Sequence, residues 1–290
     1  MFEDKNDERT KPIIITPDNA NFLPGIRYSE IVKELCIDFF EKMSINYFSI
    51  TRTYPDGSCC DLSSDGKWMK NYIEKGHSIA NVENFFSFSE SKNNFFLWQI
   101  NNIFNSNETL GNLYTDCCEF KYTNGVTLVQ AYSEYQENYH FCSSKQNTNS
   151  ESFLLENIHL LEKFVFYIKE KIFSHKDIKS AFLTRFLLDS DNKHHSKKSI
   201  VNDKLDLDIN VSKFYLNDSQ YLTLREMEVL QCVIRNRSSK EIARLLNISP
   251  RTVETFVEKI KFKTSCETIR DLTKYVLNNR MLFNQLIAEL

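Results

Sequence analysis

Between Leu222 and Lys263 the chain is punctuated more tightly than anywhere else along its length, and that punctuation limits what it can fold into. Thr223-Leu224-Arg225-Glu226 is a capping box, in which a Thr hydroxyl takes one orphan amide of a starting helix and the Glu three residues on takes another. Leu224, Met227, Val229, Leu230 and Val233 then mark one apolar helix face, ending at Arg235-Asn236-Arg237. Ser238 and Glu241 form a second capping box, opening a short helix with Ile242, Ala243, Leu245 and Leu246. After Asn247-Ile248, Ser249 caps a third helix with Pro250 at its first position, where a missing N–H costs nothing. The spacing predicts that this helix runs to about Lys263, with Val253, Val257 and Ile260 inside. A last helix over about 267–279 is expected to bury Ile269, Leu272 and Val276. Two short helices joined by a three-residue turn, the second capped and polar on its outer side, describe a helix-turn-helix.

The stretch LTLREMEVLQCVIRNRSSKEIARLLNISPRTVETFVEKIKFK resembles the DNA-binding domain of LuxR/FixJ-type regulators. That family opens with Leu-Thr-x-Arg-Glu-x-Glu-Val-Leu and continues through Ser-Asn-Lys-Glu-Ile-Ala to Ile-Ser-x-x-Thr-Val and a Lys-rich helix end. The likeness covers about 60 of the 290 residues. It implies a four-helix DNA-binding domain, a homodimer on a near-palindromic site, and contact with RNA polymerase if the protein activates. Family glycines are replaced by Asn236, Asn247 and Ser265. Asn tolerates the left-handed backbone better than other side chains, whereas Ser265 is the more strained exchange. Thr264 stands where the family has Leu, which predicts looser packing at that helix end.

The resemblance places Lys240, Arg251, Thr252, Glu254, Thr255, Glu258, Lys259 and Lys263 at the DNA. Family members often carry Lys and His on the groove side, where this chain has Glu254, Thr255, Phe256 and Glu258. A Glu can accept from cytosine N4 and a Thr methyl can touch a thymine methyl. The other reading of Glu254 and Glu258 is that they pair with nearby lysines and read no base. In either case Lys240, Arg251, Lys259, Lys261 and Lys263 must supply the attraction to phosphate.

Charge agrees with a local DNA surface. The chain has 36 Lys/Arg against 39 Asp/Glu, net −3. Residues 217–290 have 12 against 9, net +3, so the remainder is 24 against 30, net −6. Any nucleic-acid surface must therefore be local, and a locally positive module on an acidic chain suits phosphate contact. Hydrophobic residues make up 41%, enough for a core, and the length suits two domains. No apolar run approaches the roughly 20 residues that span a bilayer, and the charged start MFEDKNDERTKP has no secretory apolar segment. Eight cysteines without a C-x-x-C read as reduced thiols, so a cytoplasmic protein is expected.

No Gly-rich phosphate loop, zinc motif or nucleophile motif is found, so no enzyme activity, cofactor or metal is expected. The pairs Cys59-Cys60 and Cys117-Cys118 would point to opposite faces of a strand, which disfavours a shared metal. His194-His195, among lysines, reads as solvated linker.

The remaining sequence predicts an α+β fold: an α/β/α sandwich-like sensor domain with a mostly antiparallel sheet, followed by the all-α domain. Residues 1–25 read as a loose tail, 26–188 as the sensor ending in a long helix, 189–216 as a polar linker, and 217–290 as the DNA-binding domain. A helix is expected through Val32, Leu35, Cys36, Phe39, Phe40 and Met43. Strands are expected at 46–54, 58–64, 94–100 and 138–144, with a hairpin turning at Asn124-Gly125. Leu154, Ile158, Leu161, Val165, Ile168 and Ile172 form one continuous helical stripe.

Trp68 and Tyr72, four residues apart, resemble the Trp…Tyr…Asp-Pro signature of the autoinducer-binding domain of quorum-sensing LuxR regulators. Nine residues beyond Tyr72, at the family's Asp-Pro, stand Asn81 and Val82, and Trp98 falls where the family has a pocket Trp. The likeness implies a small-molecule site at Trp68, Tyr72, Asn81 and Trp98. The Asp that would hold a lactone amide is absent, and Asn81 can accept only through a neutral oxygen. A different small molecule, a filled aromatic core serving as a ligand-free interaction scaffold, and an enzyme tethered to a DNA anchor are the competing readings. No receiver-like alternation of strand and helix is present.

Overall fold

The computed structural model describes residues 12–77, 95–98, 108–122, 124–132, 134–143, 150–188 and 211–287. The chain divides into two compact units, Met1–Glu151 with Lys176–Ile200, and Ser152–His175 with Val201–Leu290.

The first unit is built on a seven-stranded sheet in the order β1-β7-β3-β2-β6-β5-β4. Its strands are β1 (Ile13–Ile15), β2 (Tyr47–Thr53), β3 (Cys59–Ser63), β4 (Phe95–Leu97), β5 (Asn124–Ala131), β6 (Gln136–Ser143) and β7 (Phe186–Leu188). All pairings are antiparallel except β1 with β7. The helices of this unit are α1 (Pro24–Arg27), α2 (Ser29–Met43), α3 (Gly66–Glu74) and α4 (Glu108–Glu119). α5 (Ser150–Glu156) crosses the boundary at Glu151, and α6 (Ile158–Ser174) belongs to the second unit. α7 (Lys176–Phe182) returns to the first.

The two faces of the sheet differ. On one, Phe48, Ile50, Leu62, Leu128 and Phe141 are buried, as are Val32, Cys36, Phe39 and Met43 of α2. Phe39 and Phe48 meet Phe141 at ring-centroid distances of 6.2 and 5.2 Å. The same face ends in a buried ion pair, Arg52 Nη2 to Glu137 Oε1 at 2.6 Å, with side chains 1% and 0% exposed. The other face carries Tyr47, Cys59 and Cys142, clustered with Trp68, Met69, Tyr72 and Ile73 of α3 and Leu113 and Cys117 of α4.

Several expectations are corrected here. The supposed tail joins the sheet from Ile13, because an edge strand tolerates bracketing prolines. Asn124-Gly125 is not a turn. Residues 108–119 are helical, Lys121 takes the positive φ (64°), and Gly125 lies inside β5. A Cβ on Gly125 would stand 2.6 Å from Trp98 Cδ2, so close packing explains the glycine. The hairpin instead joins β5 to β6, closed by Tyr132 N–H to Tyr135 O at 2.8 Å. The long stripe breaks at Asn157, whose side-chain amide donates to Phe153 O at 2.8 Å. Cys117-Cys118 is helical rather than extended, and all eight cysteines are free. His194-His195 lies outside the described residues, as do 189–210 of the expected linker.

The second unit contains α8 (Leu224–Ile234), α9 (Ser239–Leu246), α10 (Pro250–Lys263), α11 (Ile269–Asn278) and a fifth helix, α12 (Arg280–Ile287). Linker residues 213–215 form strand β8 (Lys213–Tyr215), paired antiparallel with β9 (Tyr221–Thr223). α6 lies against this hairpin. Phe166 meets Phe214 at 5.3 Å, Phe173 stacks on Tyr215 at 5.0 Å, and Glu170 accepts the Ser212 and Lys213 amides at 3.0 and 3.1 Å. Asn284 of α12 donates to both Glu162 oxygens at 2.8 Å. The long helix expected to close the sensor is thus bonded into the C-terminal unit, through aromatic and carboxylate contacts that helix periodicity cannot reveal. Among the described residues no helix is long and apolar enough to cross a membrane.

Candidate nucleic-acid interface

The capping signals fold as the chemistry requires. The Glu226 amide donates to Thr223 Oγ1 at 3.3 Å and Glu226 Oε2 accepts the Thr223 amide at 2.8 Å. The box is repeated at Ser238/Glu241, where Glu241 Oε2 accepts the Ser238 amide at 2.7 Å. Asn236 and Asn247 take the left-handed conformation at φ 58° and 51°, and so does Ser265 at 55°. Thr264 is buried and donates to Ile260 O at 2.8 Å, so the end of α10 is tied back on itself.

Ser249 Oγ accepts the Thr252 amide at 3.0 Å and aligns α10. Val253, Val257 and Ile260 are buried. Arg251, Thr252, Glu254, Thr255, Glu258 and Lys259 are exposed, as is Lys240 on α9. Thr252 is engaged by the cap, its Oγ1 lying 2.8 Å from Ser249 Oγ. Thr255 donates its hydroxyl to Arg251 O at 3.0 Å, which spends the proton on the backbone. Glu258 pairs with Lys261 at 2.8 Å, whereas Glu254 makes no ion pair among the described residues. Lys259 Nζ lies 5.9 Å from the Phe256 ring centroid. Lys263 faces inward to Glu226, at 2.7 Å from Oε1 and 2.6 Å from Oε2. Burial pushes the Glu226 carboxyl up, but Lys263 and Thr223 outweigh it and hold the group below its usual range.

Two features escaped the sequence. Phe262, on the outward stripe, is 78% exposed. The β8–β9 turn supplies Ser219, Gln220 and Tyr221 to a groove of about 820 Å³ whose other wall is Arg251, Glu254, Thr255, Glu258, Lys259, Phe262 and Lys263. The aromatic character of Tyr221 and Phe262 was the only signal available. Ile269, expected inside α11, is 52% exposed, and Leu277 on the same helix is 60% exposed; Leu272 and Val276 are buried.

In the first unit Trp68 and Tyr72 come together with ring centroids 5.8 Å apart. Trp68 also meets Phe120 and Tyr122 at 5.1 and 5.7 Å, and Tyr122 meets Tyr47 at 4.6 Å. Asp65 caps α3 through the Lys67 and Trp68 amides and accepts Tyr122 O–H at 2.5 Å. Trp98 Nε1 donates to Thr127 Oγ1 at 2.8 Å, which lies 2.8 Å from His140 Nδ1. Asn81 lies outside the described residues.

These geometries define a capped helix-turn-helix module, and comparison with known proteins gives its family. Residues 220–276 match the bacterial regulatory proteins of the luxR family, so the chain carries a luxR-family domain in its C-terminal unit. The probable transcriptional regulator ycf29 of Pyropia yezoensis is 38% identical over 71 residues, 24% of this chain and 32% of that protein. The transcriptional regulatory protein TdiR of Thauera aromatica is 45% identical over 56 residues, 19% of this chain and 25% of that protein. The chain thus spans about a third or less of the length of the curated relatives it matches. A solved structure of SdiA in complex with octanoyl-rac-glycerol aligns over 87% of this chain and 88% of that one, at 16% identity and a TM-score of 0.38. A crystal structure of Escherichia coli SdiA covers 88% and 92%, at 14% identity and the same TM-score.

Proposed function

We propose that this protein is a sequence-specific, homodimeric DNA-binding transcription regulator of LuxR type, working in the cytoplasm. α10 enters the major groove, where Glu254, Thr255 and Glu258 face base edges and Lys240, Arg251 and Lys259 face phosphates. The observation that carries this reading is the polar outer row of α10, held rigid by three apolar residues and a Ser249 cap within a luxR-family domain. Thr252 supports the cap, and Lys263 acts through Glu226. A stripe of exposed Ile269 and Leu277, with half-buried Thr273 between them, is the surface offered to a second copy, since Leu272 and Val276 are used internally. If the protein activates, RNA polymerase is a further partner.

The first unit is the sensor in this reading, gated by a small molecule held near Trp68, Tyr72 and Trp98. Its contacting rings also suit the second reading, a ligand-independent scaffold.

The test is selection of genomic fragments by the full-length protein at fixed salt. One enriched near-palindrome is expected, with Glu254→Ala altering preference at one base pair and Lys259→Ala weakening all sequences and reducing the salt slope by about one. Sequence-blind binding by the wild type would overturn the proposal.

A further inference from the structure

The sheet of the first unit has a buried face that is polar where a core should be apolar. Strand register places Asp61, Thr51, Asn138 and Val129 side by side across β3, β2, β6 and β5. Two residues along, Ser63, Ser49, His140 and Thr127 form a second row. Side chains two apart share a face, and strands lie about 4.8 Å apart, so the two rows tile a patch roughly 14 by 7 Å. All the polar members are buried except His140, which is half-buried. The opposite face of these same strands is Phe48, Ile50, Leu62 and Phe141.

Buried polar groups cost stability unless they are hydrogen-bonded. Part of the patch is internally satisfied. Thr127 bridges Trp98 and His140, Gln136 Nε2 donates to Asn138 Oδ1 at 2.9 Å, and Ser63 Oγ lies 3.5 Å from Tyr47 Oη. Asp61 is not. It is 1% exposed, and neither carboxylate oxygen has a hydrogen-bond partner among the described residues. Gly25 of α1 packs so closely that a Cβ there would lie 1.9 Å from Asp61 Oδ2, and its amide gives only partial relief. Burial pushes this carboxyl up to about 7, with no side-chain cation opposing the rise.

The same side of the sheet clusters with aromatic rings, Tyr47, Trp68, Tyr72, Phe120 and Tyr122. A buried carboxylate with no side-chain donor or cation, beside hydroxyls and electron-rich ring faces, is the combination that binds an organic ammonium ion. It does not suit a long acyl chain, which would strand the hydroxyls. We propose that this polar patch is the floor of a binding site for a small hydroxylated ammonium compound, its nitrogen meeting Asp61 and its hydroxyl meeting the Thr51–Asn138 row. This deepens the small-molecule reading of the first unit and rests on it.

The experiment uses full-length protein at about pH 8, where the Asp61 carboxyl is ionised. Ethanolamine is the probe, with glycerol and octanoate at matched ionic strength as comparisons, read by thermal unfolding and calorimetric titration. The expected result is a dose-dependent rise of about 3 °C or more with ethanolamine alone. Asp61→Asn and the near-isosteric Thr51→Val should each weaken ethanolamine at least about tenfold. A shift with octanoate alone would overturn the inference while leaving the small-molecule reading intact. No shift with any probe, or equal ethanolamine shifts in wild type and both variants, would also overturn it. DNA binding by the same samples, measured separately, reports on the regulator reading.

Discussion

Lys263, the last residue of α10, holds both carboxylate oxygens of Glu226 on α8, at 2.6 and 2.7 Å. The same Glu226 closes the capping box with Thr223. One carboxylate therefore fixes the start of the first helix and the end of the third. The pair ties the C-terminal end of α10 to the N-terminal cap of α8, and under the proposed function this makes Lys263 a positioning residue.

Removing Lys263 leaves the buried Glu226 carboxylate with only its Thr223 cap, and removing Glu226 takes away the ion-pair partner of Lys263. Lys263→Ala is expected to cost about 2 kcal/mol in the C-terminal unit, and Glu226→Ala more because the cap is lost too. The double variant should be less destabilised than the sum, with a coupling near 1–2 kcal/mol in denaturant unfolding. Additive effects would show that the pair contributes nothing. The pH dependence has a definite sign. The folded Glu226 carboxyl lies below the ordinary 4.5 of a free Glu, so its contribution is present above about pH 4.5 and fades as pH falls through the folded value. Lys263→Ala should flatten that acid limb.

Ser265 sits at φ 55°, a conformation that costs a side chain with a Cβ roughly 1 kcal/mol. Ser265→Gly should raise stability by up to about 0.5 kcal/mol, net of glycine's greater unfolded-state entropy. Asn236→Gly and Asn247→Gly should gain less, since Asn tolerates their φ of 58° and 51° better. Equal gains at all three positions in thermal unfolding would contradict this ranking.

The C-terminal unit was legible because its signals are local. A cap, its reciprocal Glu three residues on and an apolar stripe are all set within one turn, and α8, α9 and α10 end where those signals place them. Asn124-Gly125 misled because a turn dipeptide is only permissive. The packing of Gly125 beneath Trp98, 27 residues earlier in sequence, decides the matter. The attachment of α6 to the hairpin and α12 was illegible for the same reason, since Glu162–Asn284 and Glu170–Ser212 join residues far apart in the chain. Ile269 was misjudged because α11 shows apolar residues on both sides, and periodicity alone does not say which side faces inward. Tyr221 and Phe262 became candidates only once the groove brought them together.

Asp61 makes the stability of the first unit fall as pH rises between about 4 and 7. Its folded pKa is raised from 3.8 to about 7, so folding is favoured while the carboxyl stays protonated. Stability is then full below about pH 4, falls as pH rises towards 7, and levels off above that. A shift of about three units corresponds to roughly 4 kcal/mol as an upper bound. Asp61→Asn, which keeps the shape without the charge, should raise the unfolding midpoint at pH 8 and leave it nearly unchanged at pH 4. A pH-independent effect would show that Asp61 is not the group responsible.

The Arg52–Glu137 pair makes the opposite case, a buried charge with every partner in place. Arg52 Nε and Nη2 donate to Glu137 Oε1 at 3.2 and 2.6 Å, and Tyr139 O–H donates to Oε2. The guanidinium lies 3.9 Å from the Tyr135 ring centroid and 5.0 Å from that of Phe182. Such a network is costly to break from one side, because the remaining charge stays in an apolar setting. Glu137→Ala is therefore expected to destabilise the first unit by about 3–5 kcal/mol. Glu137→Gln keeps the hydrogen-bonding shape and should cost less, while still leaving the Arg52 charge uncompensated. A joint Arg52→Met, Glu137→Leu exchange removes both charges and should recover most of the loss, to within about 1–2 kcal/mol of wild type. Chemical denaturation of the full-length protein, followed through Trp68 and Trp98 in the first unit, reads all three. A Glu137→Ala loss below about 1 kcal/mol would mean that water reaches the pair, and that the closed end of this sheet face is looser than the 0% exposure of Glu137 requires.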